Sequence, residues 1–347
     1  MSMIFIAIKN IFHALTLVVT IIPMIATMCL PGNPNTPVMV NAQAENPYIE
    51  EYLGTDVSAH RSGAGIAPQN TLMAFEYVLK QNKNLGVDVF EFDVHITADG
   101  ELVLLHNTTY DATSNAVEAF GHKNVRVSEL TFKEAYDVLN LGENFTPDDG
   151  ETYPYRGLRG KDIPENLRVA KCETVIDYIE KNSGKKDFRY IIEIKSTGKN
   201  GMKAADKLYS IILERDMKDR VIWASSKELV SVYMEQKYPD MPRSARTTEV
   251  IMFYIYSRMN WDLNEINPSY IALQIPYGRS CANNLINLGT RELINYAHKN
   301  DIAVQYWTIN DAEAAEILVK NGADCIMSDY PQMVYEAVKG QQSAQTK

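Results

Sequence analysis

The stretch 58–107 reads SAHRSGAGIAPQNTLMAFEYVLKQNKNLGVDVFEFDVHITADGELVLLHN, and it contains apolar runs that end in ionisable residues. The first run ends at His60 and Arg61, and a Gly-rich turn follows it. The turn leads into a helical pattern over 70–81. A strand, a turn and a helix in this order predict the first unit of an α/β fold.

The second apolar run, 87–97, predicts a strand that carries Glu91 and Asp93. Because side chains alternate along a strand, these two carboxylates share one face. The turn at 98–100 predicts a hairpin whose return arm delivers His106. Taken alone, such an acidic pair fits the solvated face of an edge strand. Since histidines flank it on both sides, we favour a buried pair whose repulsion a hard cation such as Mg²⁺ or Ca²⁺ relieves.

The order of these motifs resembles the glycerophosphodiester phosphodiesterase family. The resemblance rests on HR, on P-x-N-T-x-x-A-F, and on G-x-D-x-x-E-x-D-V-x-x-T-x-D-G-x-L-V-x-x-H. It continues through IEIK at 192–195, YWTIN at 306–310, NGAD at 321–324 and SDYP at 328–331. It therefore covers the chain from about residue 57 to about residue 338.

The resemblance implies metal-dependent hydrolysis of a small glycerophosphodiester to sn-glycerol 3-phosphate and an alcohol. It assigns acid–base catalysis to His60 and His106. It assigns one divalent cation, Mg²⁺ or Ca²⁺, to the carboxylates of Glu91, Asp93 and Glu193. The attacking group is either water or the neighbouring glycerol hydroxyl, and the sequence leaves both routes open.

Three further side chains are candidates for binding the substrate. Arg61 has a planar fork that suits a phosphate. Lys195 shares a strand face with Glu193 and provides a second cation. Each could instead form a structural ion pair or lie in water. Trp307, near a strand end, could stack on the alcohol and would attract a choline head group, although a tryptophan of the barrel core fits equally well.

This chain departs from the family pattern at two positions, where an amide replaces a carboxylate. Gln69 stands where the family usually has Glu, and Asn107 follows His106 where the family usually has Asp. We expect both changes to weaken the support of the histidines while the metal site survives. His95 is assigned to the strand face opposite Asp93 and is left out of the site.

Strand and helix patterns alternate through the rest of the chain. Strand patterns lie at 190–195, 221–226, 244–248, 270–276, 303–310 and 324–329. Together with 57–61 and 87–97 they provide the eight strands of a (β/α)8 TIM barrel. The return arm of the hairpin after residue 100 is not counted among the strands of the barrel. Residues 108–170 break the alternation, so we interpret them as an insertion after the second strand. In the family this region caps the mouth of the active site.

The length and charge of the chain limit its class. Its 347 residues suit one barrel domain, assigned to 45–340, with a polar tail at 341–347. The net charge of −10 argues against a nucleic-acid partner. It does not exclude a phosphate substrate, because a few local cations can reverse the field in one pocket. Cys172, Cys281 and Cys325 match no zinc pattern and are predicted to be buried and inert.

Residues 1–44 have the features of a targeting segment. An apolar run at 11–30 precedes an A-x-A motif that ends at Ala44. We interpret the segment as a signal peptide, which predicts a secreted protein. An uncleaved N-terminal anchor, which would hold the protein at the cell surface, is the alternative. A lipid anchor at Cys29 is a minor one.

Two other functions remain open at this point. The first keeps the site and changes the substrate to a lysophospholipid or another lipid head group. The aromatic- and Met-rich stretch 252–261 could then contact a membrane surface, or it could be a buried helix. The second is a catalytically weak barrel that binds phosphodiesters, which the amides at Gln69 and Asn107 motivate. The sequence does not predict an oligomeric state.

Overall fold

The computed structural model describes residues 32–33, 35–39, 44–147, 150–184, 187–277 and 286–345. The apolar leader, Cys29, most of the A-x-A motif and Cys281 lie outside the described residues. Within these ranges, no helix combines the length and the apolar character needed to cross a bilayer.

The described chain alternates strands and helices much as the sequence patterns predict. The strands are β1 (Asp56–Ala59), β2 (Val89–Ile96), β3 (Leu102–Leu104), β4 (Arg189–Ile194), β5 (Val221–Ala224), β6 (Ala272–Pro276), β7 (Ala303–Trp307) and β8 (Cys325–Ser328). The helices are α1 (Leu72–Leu85), α2 (Ala116–Phe120), α3 (Phe132–Val138), α4 (Cys172–Asn182), α5 (Gly198–Glu214), α6 (Glu228–Lys237), α7 (Thr247–Met259), α8 (Arg291–Lys299), α9 (Ala312–Asn321) and α10 (Pro331–Gln345).

The parallel strands form a barrel. They are hydrogen-bonded in the order β5-β4-β2-β1-β8-β7-β6, and β3 pairs only with β2, in the antiparallel sense. The ring closes between β5 and β6, where Arg243 bridges to Trp223 and Ser244 bridges to Ala272. The (β/α)8 fold is therefore confirmed, and so is the hairpin arm outside the barrel. The predicted stave at 244–248 is shorter and earlier, because the chain enters α7 at Thr247.

Packing on the outside of β2 turns the acidic pair inward. The ring of Phe75 on α1 contacts the rings of Phe90 and Phe92, with centroids 5.4 and 5.6 Å apart. Because side chains alternate along the strand, Glu91 and Asp93 point into the barrel. This arrangement contradicts the alternative of a solvated edge strand, since β2 lies between β1 and β4 and both carboxylates are buried.

Residues before β1 cross the amino-terminal end of the barrel and continue along its outside. Asn46 donates to the carbonyl oxygens of Ile271 and Asp301 at 2.7 and 2.9 Å. Tyr48 is buried in an apolar cluster at this end. Further upstream, residues 33 and 35–39, here called the strap, are hydrogen-bonded to α8. The strap thus packs on the barrel although it lies ahead of the assigned domain start at 45.

The segment between β3 and α4 forms an apolar cluster of its own. Its buried members include Leu105, Tyr110, Leu139 and Val169. At the other end of the chain, α10 continues through Gln345, so the first part of the assigned tail is helical.

Candidate active site

A cavity of about 500 Å³ opens at the carboxyl ends of the barrel strands. Most of the candidate residues from the sequence line it, and Asp93 is buried beside them. Those on the lining are His60, Arg61, Glu91, His106, Glu193, Lys195 and Trp307. Side chains far apart in sequence therefore meet at the end of the barrel where this fold places its active sites.

The turn after β1 directs His60 and Arg61 into the cavity. Arg61 and Ser62 have positive φ angles of 49° and 61°, a conformation that costs free energy in residues other than Gly. Contacts on both sides hold the turn: the backbone N–H of Arg61 donates to Glu91 Oε2 at 2.7 Å, and its carbonyl oxygen accepts from the Asn70 N–H at 3.1 Å. The next turn needs Gly65, because a Cβ there would lie 2.4 Å from the ring of Tyr330.

His60 is held by the carboxylate of Asp329, a contact that the sequence interpretation did not assign. Its Nδ1 lies 2.7 Å from Asp329 Oδ1, and Asn310 donates to the other Asp329 oxygen at 2.7 Å. Its Nε2 is 3.5 Å from Thr308 Oγ1 and 4.0 Å from Glu91 Oε2. Burial alone would lower the pKa of His60, but the hydrogen bond to Asp329 and the charge of Glu91 raise it. Nε2 is thus the nitrogen that faces the cavity. The motif SDYP was the available signal for Asp329.

The acidic side chains come from neighbouring strands. Asp93 on β2 is paired in register with Glu193 on β4. The ammonium of Lys195 lies between them, 3.2 Å from Asp93 Oδ1 and 2.7 Å from Glu193 Oε2. The second oxygen of Asp93 accepts from Asn70 Nδ2 at 3.0 Å and lies 3.6 Å from Arg61 Nε. Both cations that the sequence assigns to the substrate therefore already neutralise Asp93.

The donor set is suited to a hard cation. Burial and the neighbouring charge of Asp93 raise the pKa of Glu91 to about 7, so this carboxylate is poorly compensated by the protein alone. In the described residues, no three acidic, imidazole or thiolate side chains converge closely enough to form a ready cluster. The carboxylate oxygens of Glu91, Asp93 and Glu193 are the donor type that suits Mg²⁺ or Ca²⁺, and the ammonium of Lys195 contacts two of these three side chains.

His106 enters the cavity from the hairpin. Its Nδ1 donates to Asn107 Oδ1 at 2.8 Å, which leaves Nε2 available for exchange of a proton. Burial lowers the pKa of His106, although the charge of Asp93 opposes this. The backbone N–H of Leu105 donates to the Asp93 carbonyl oxygen at 3.1 Å, and this contact ties the hairpin arm to β2.

The assignment of His95 to the opposite strand face is wrong. His95 follows Asp93 by two positions and therefore shares its face. Its Nε2 donates to the carbonyl oxygen of His106 at 3.3 Å, and its Nδ1 lies 3.1 Å from Ser196 Oγ. Burial lowers the pKa of His95 to about 4, so the ring is neutral and supports the His106 backbone.

The two amides that replace family carboxylates make contacts with the site. Gln69 Oε1 accepts from Arg61 NH1 at 2.8 Å, and Asn107 holds His106 as described. Both side chains therefore contact a site residue, but neither amide supplies a negative charge to its partner.

Later parts of the chain complete the lining of the cavity. Arg246, Gln274 and Trp307 lie on it, and Trp307 is 42% exposed rather than buried in the core. Gln274 donates to Gln305 at 3.0 Å. Among the described residues, none from 108–170 lines the cavity, and the capping of its mouth by this segment stays a prediction. The segment packs around its own cluster.

Two of the cysteines behave as predicted. Cys172 and Cys325 are both buried and unpaired in disulfides. Burial raises the pKa of each thiol well above its ordinary value, so neither is a nucleophile or a metal ligand at neutral pH.

Comparisons with known proteins agree with this geometry. A glycerophosphodiester phosphodiesterase from Caldanaerobacter subterraneus subsp. tengcongensis is 29% identical over 287 residues, which cover 83% of this chain and 99% of that protein. A phosphodiesterase from Oleispira antarctica, solved with the product sn-glycerol-3-phosphate, shares the fold. Its TM-score is 0.59 at 17% identity, over 82% of this chain and 96% of that one. The model of the glycerophosphoryl diester phosphodiesterase family matches residues 60–333, and this chain therefore belongs to that family.

Proposed function

We propose that the protein hydrolyses glycerophosphodiesters to sn-glycerol 3-phosphate and an alcohol, with His60 and His106 as the acid–base pair. The observation that carries this proposal is the arrangement of two histidines in one cavity around Glu91 and Asp93. His60 comes directly after β1, and His106 comes from the hairpin on β2. In-line displacement at phosphorus needs its base and its acid on opposite sides of the phosphorus atom.

The two histidines differ in their supports, which favours a division of labour. His60 is paired with the carboxylate of Asp329, and this pair stabilises the imidazolium that forms when His60 accepts a proton. His106 is held by the neutral amide of Asn107. We assign the base to His60 and the acid that protonates the leaving alkoxide to His106.

Arg61 and Lys195 supply positive charge for the phosphodiester. Both side chains line the cavity and contact Asp93, so their donors lie next to the acidic cluster. Glu91, Asp93 and Glu193 would hold one divalent cation, Mg²⁺ or Ca²⁺. When bound, the cation supplies further stabilisation of the charge on the phosphoryl oxygens.

The test is an assay of the purified, exported protein with glycerophosphocholine, in which choline and sn-glycerol 3-phosphate are both quantified. We expect stoichiometric release of the two products, and His122→Ala, which changes an exposed histidine outside the cavity, should keep full activity. An active His60→Ala enzyme would overturn the site. If the wild type binds the substrate and releases nothing, the protein is instead a phosphodiester-binding barrel.

We also propose that the protein is exported, on the basis of the apolar leader and the A-x-A motif. Intact-mass analysis of the culture medium should show a chain without its leader. Full-length chain confined to the membrane fraction would favour the uncleaved anchor.

A further inference from the structure

The contacts of the Asp93 carboxylate are of two kinds. In the described part of the chain, three side chains contact it. Lys195 Nζ lies 3.2 Å from Oδ1 and Arg61 Nε lies 3.6 Å from Oδ2, and both of these cations line the cavity. The third contact is made by Asn70, whose Nδ2 donates to Oδ2 at 3.0 Å. Asn70 is 1% exposed and does not line the cavity, so a bound substrate does not reach it.

Asn70 contacts Asp93 at two points. Its Nδ2 donates to the carboxylate, while its Oδ1 accepts from the Asp93 backbone N–H at 3.2 Å. Only a side-chain amide offers a donor and an acceptor side by side in this way without a charge. A carboxylate in this place would lack the donor, and an ammonium would neutralise Asp93. The amide therefore orients the Asp93 side chain and leaves its negative charge in place.

The position of Asn70 is fixed from outside the cavity. Its backbone N–H donates to the Arg61 carbonyl oxygen at 3.1 Å, which joins it to the turn after β1. Its φ angle is 55°, a left-handed conformation that Asn adopts more readily than most residues other than Gly. The next residue, Thr71, caps α1, because its Oγ1 accepts from the Ala74 N–H at 3.3 Å. The start of α1 and the turn thus hold this amide against Asp93 from two sides.

We propose that Asn70 is a positioning residue, which keeps the Asp93 carboxylate oriented for a divalent cation while Arg61 and Lys195 turn to the phosphodiester. This inference rests on the proposed function and adds a residue to its site. Without Asn70, a carboxylate whose cationic partners had moved to the substrate would keep no side-chain donor among the described residues. A buried carboxylate in that state is costly and free to change its orientation.

The test is calorimetric titration of the metal-free protein with Mg²⁺ and with Ca²⁺, which does not depend on catalysis. Asn70→Gly removes the amide and keeps the left-handed backbone free of strain. We expect it to weaken binding of the ion roughly 10–100-fold, as the loss of a partner behind a metal ligand does. Asn70→Ala, which is less stable because its backbone is strained, should show the same loss of affinity. Circular dichroism and urea denaturation report the fold and the stability of each variant.

Asn82→Ala at the other end of α1 is the matched control. The Asn82 side chain makes the same pair of amide contacts with a backbone, accepting from the Val87 N–H at 2.7 Å and donating to the Val87 carbonyl oxygen at 3.1 Å. It does not line the cavity. Its loss should therefore lower the stability of the protein and leave its affinity for the ion unchanged.

Each outcome decides between the proposals. If Asn70→Gly and Asn70→Ala bind the ion as tightly as the wild type, the inference is overturned and the proposed function stands. An equal loss of affinity in Asn82→Ala would also overturn it, because the loss would then follow stability alone. A wild type that hydrolyses glycerophosphocholine and binds neither ion overturns the inference as well. A wild type that neither binds an ion nor hydrolyses this substrate overturns the proposed function itself.

Discussion

Asp329 sets both the orientation and the proton affinity of His60. It fixes the imidazole through Nδ1 and is itself fixed by Asn310. Burial raises the pKa of the Asp329 carboxyl, but the hydrogen bond with His60 lowers it below the ordinary value. The pair therefore favours a charged carboxylate beside a protonated ring, which is the state that the proposed base would reach after it removes a proton from the nucleophile.

Asp329→Asn should consequently lower the pKa of His60, because the negative charge that raises it is removed. A base acts in its neutral form, so the acidic limb of the kcat/KM profile should move to lower pH. Turnover at the plateau should fall roughly 10–100-fold, since an amide stabilises the imidazolium less. Asp311→Asn, which keeps a helix cap on α9, is the matched control and should leave the profile in place. If the acidic limb of the profile did not move in Asp329→Asn, His60 would not be the group whose titration produces that limb.

The roles of the two histidines can be separated with a leaving group that needs no acid. His60→Ala and His106→Ala should each lose roughly 10²–10⁴-fold in turnover of glycerophosphocholine. Against a glycerophosphodiester with a p-nitrophenolate leaving group, His106→Ala should recover much of its activity, because this anion departs without a proton. His60→Ala should not recover, since the nucleophile still needs a base. Equal behaviour of the two variants on both substrates would contradict the division of labour.

Most candidate residues of this site could be predicted from the residue types within short motifs. The contacts between different motifs could not be predicted in this way. Glu91 and Asp93 could be assigned because strand alternation puts them on one face. Asp329 and its partner Asn310 could not be connected with His60, because they are brought to it only by closure of β8 against β1. The error at His95 was in the strand alternation, since residues 93 and 95 are two positions apart and share one face.

At the scale of elements, the strap makes contacts that the sequence did not predict. Glu292 Oε1 accepts from the backbone N–H of Asn33 at 2.7 Å and from Thr36 Oγ1 at 2.6 Å. Asn295 adds a reciprocal pair, donating to the Pro37 carbonyl oxygen at 2.7 Å and accepting from the Met39 N–H at 2.8 Å. Polar residues without periodicity carry no signal of such docking, so the sequence placed the domain start after them.

A chain that begins at Gly32 should therefore be more stable than one that begins at Glu45. We expect a difference of about 1–3 kcal/mol in the free energy of unfolding, from a few hydrogen bonds less the entropy of ordering the strap. Urea denaturation of both chains, with and without Glu292→Ala, measures the coupling. Glu292→Ala should destabilise the longer chain by about 1 kcal/mol more than the shorter one. Equal effects in both would mean that the strap does not bind α8.

The sequence predicted a strand that closes the barrel between β5 and β6, but it placed this strand too late in the chain, at 244–248. Arg243 is buried and donates to both carboxylate oxygens of Glu249 at 2.7 Å, and the Arg246 N–H donates to the same carboxylate at 2.9 Å. Glu249 thereby starts α7 directly after the short stave. The weak apolar run at 244–248 does not predict the buried ion pair between Arg243 and Glu249, with which the strand ends early.

On the scale of the whole molecule, an acidic protein has to bind an anionic substrate. The chain carries a net charge of −10, and the cavity keeps carboxylates beside Arg61 and Lys195. Burial alone would lower the pKa of Lys195, but the charges of Asp93 and Glu193 raise it. Its ammonium is thus already engaged with the protein. A phosphodiester that displaced these contacts would leave buried carboxylates uncompensated, at a cost of several kcal/mol.

A bound divalent cation would remove this conflict, and we therefore expect turnover to be lost with the cation while the fold remains. Treatment with EDTA should inactivate the protein without changing its circular dichroism, and Mg²⁺ or Ca²⁺ should restore activity because the ligands are all oxygens. Calorimetric titration of the stripped protein with each ion gives a readout that does not depend on catalysis. Glu193→Gln should weaken binding of the ion, whereas Glu214→Gln, which changes an exposed carboxylate on α5, should not. Restoration by Zn²⁺ alone would show that histidine nitrogens belong to the ligand set, and Glu91, Asp93 and Glu193 would then act as partners of Arg61 and Lys195 instead.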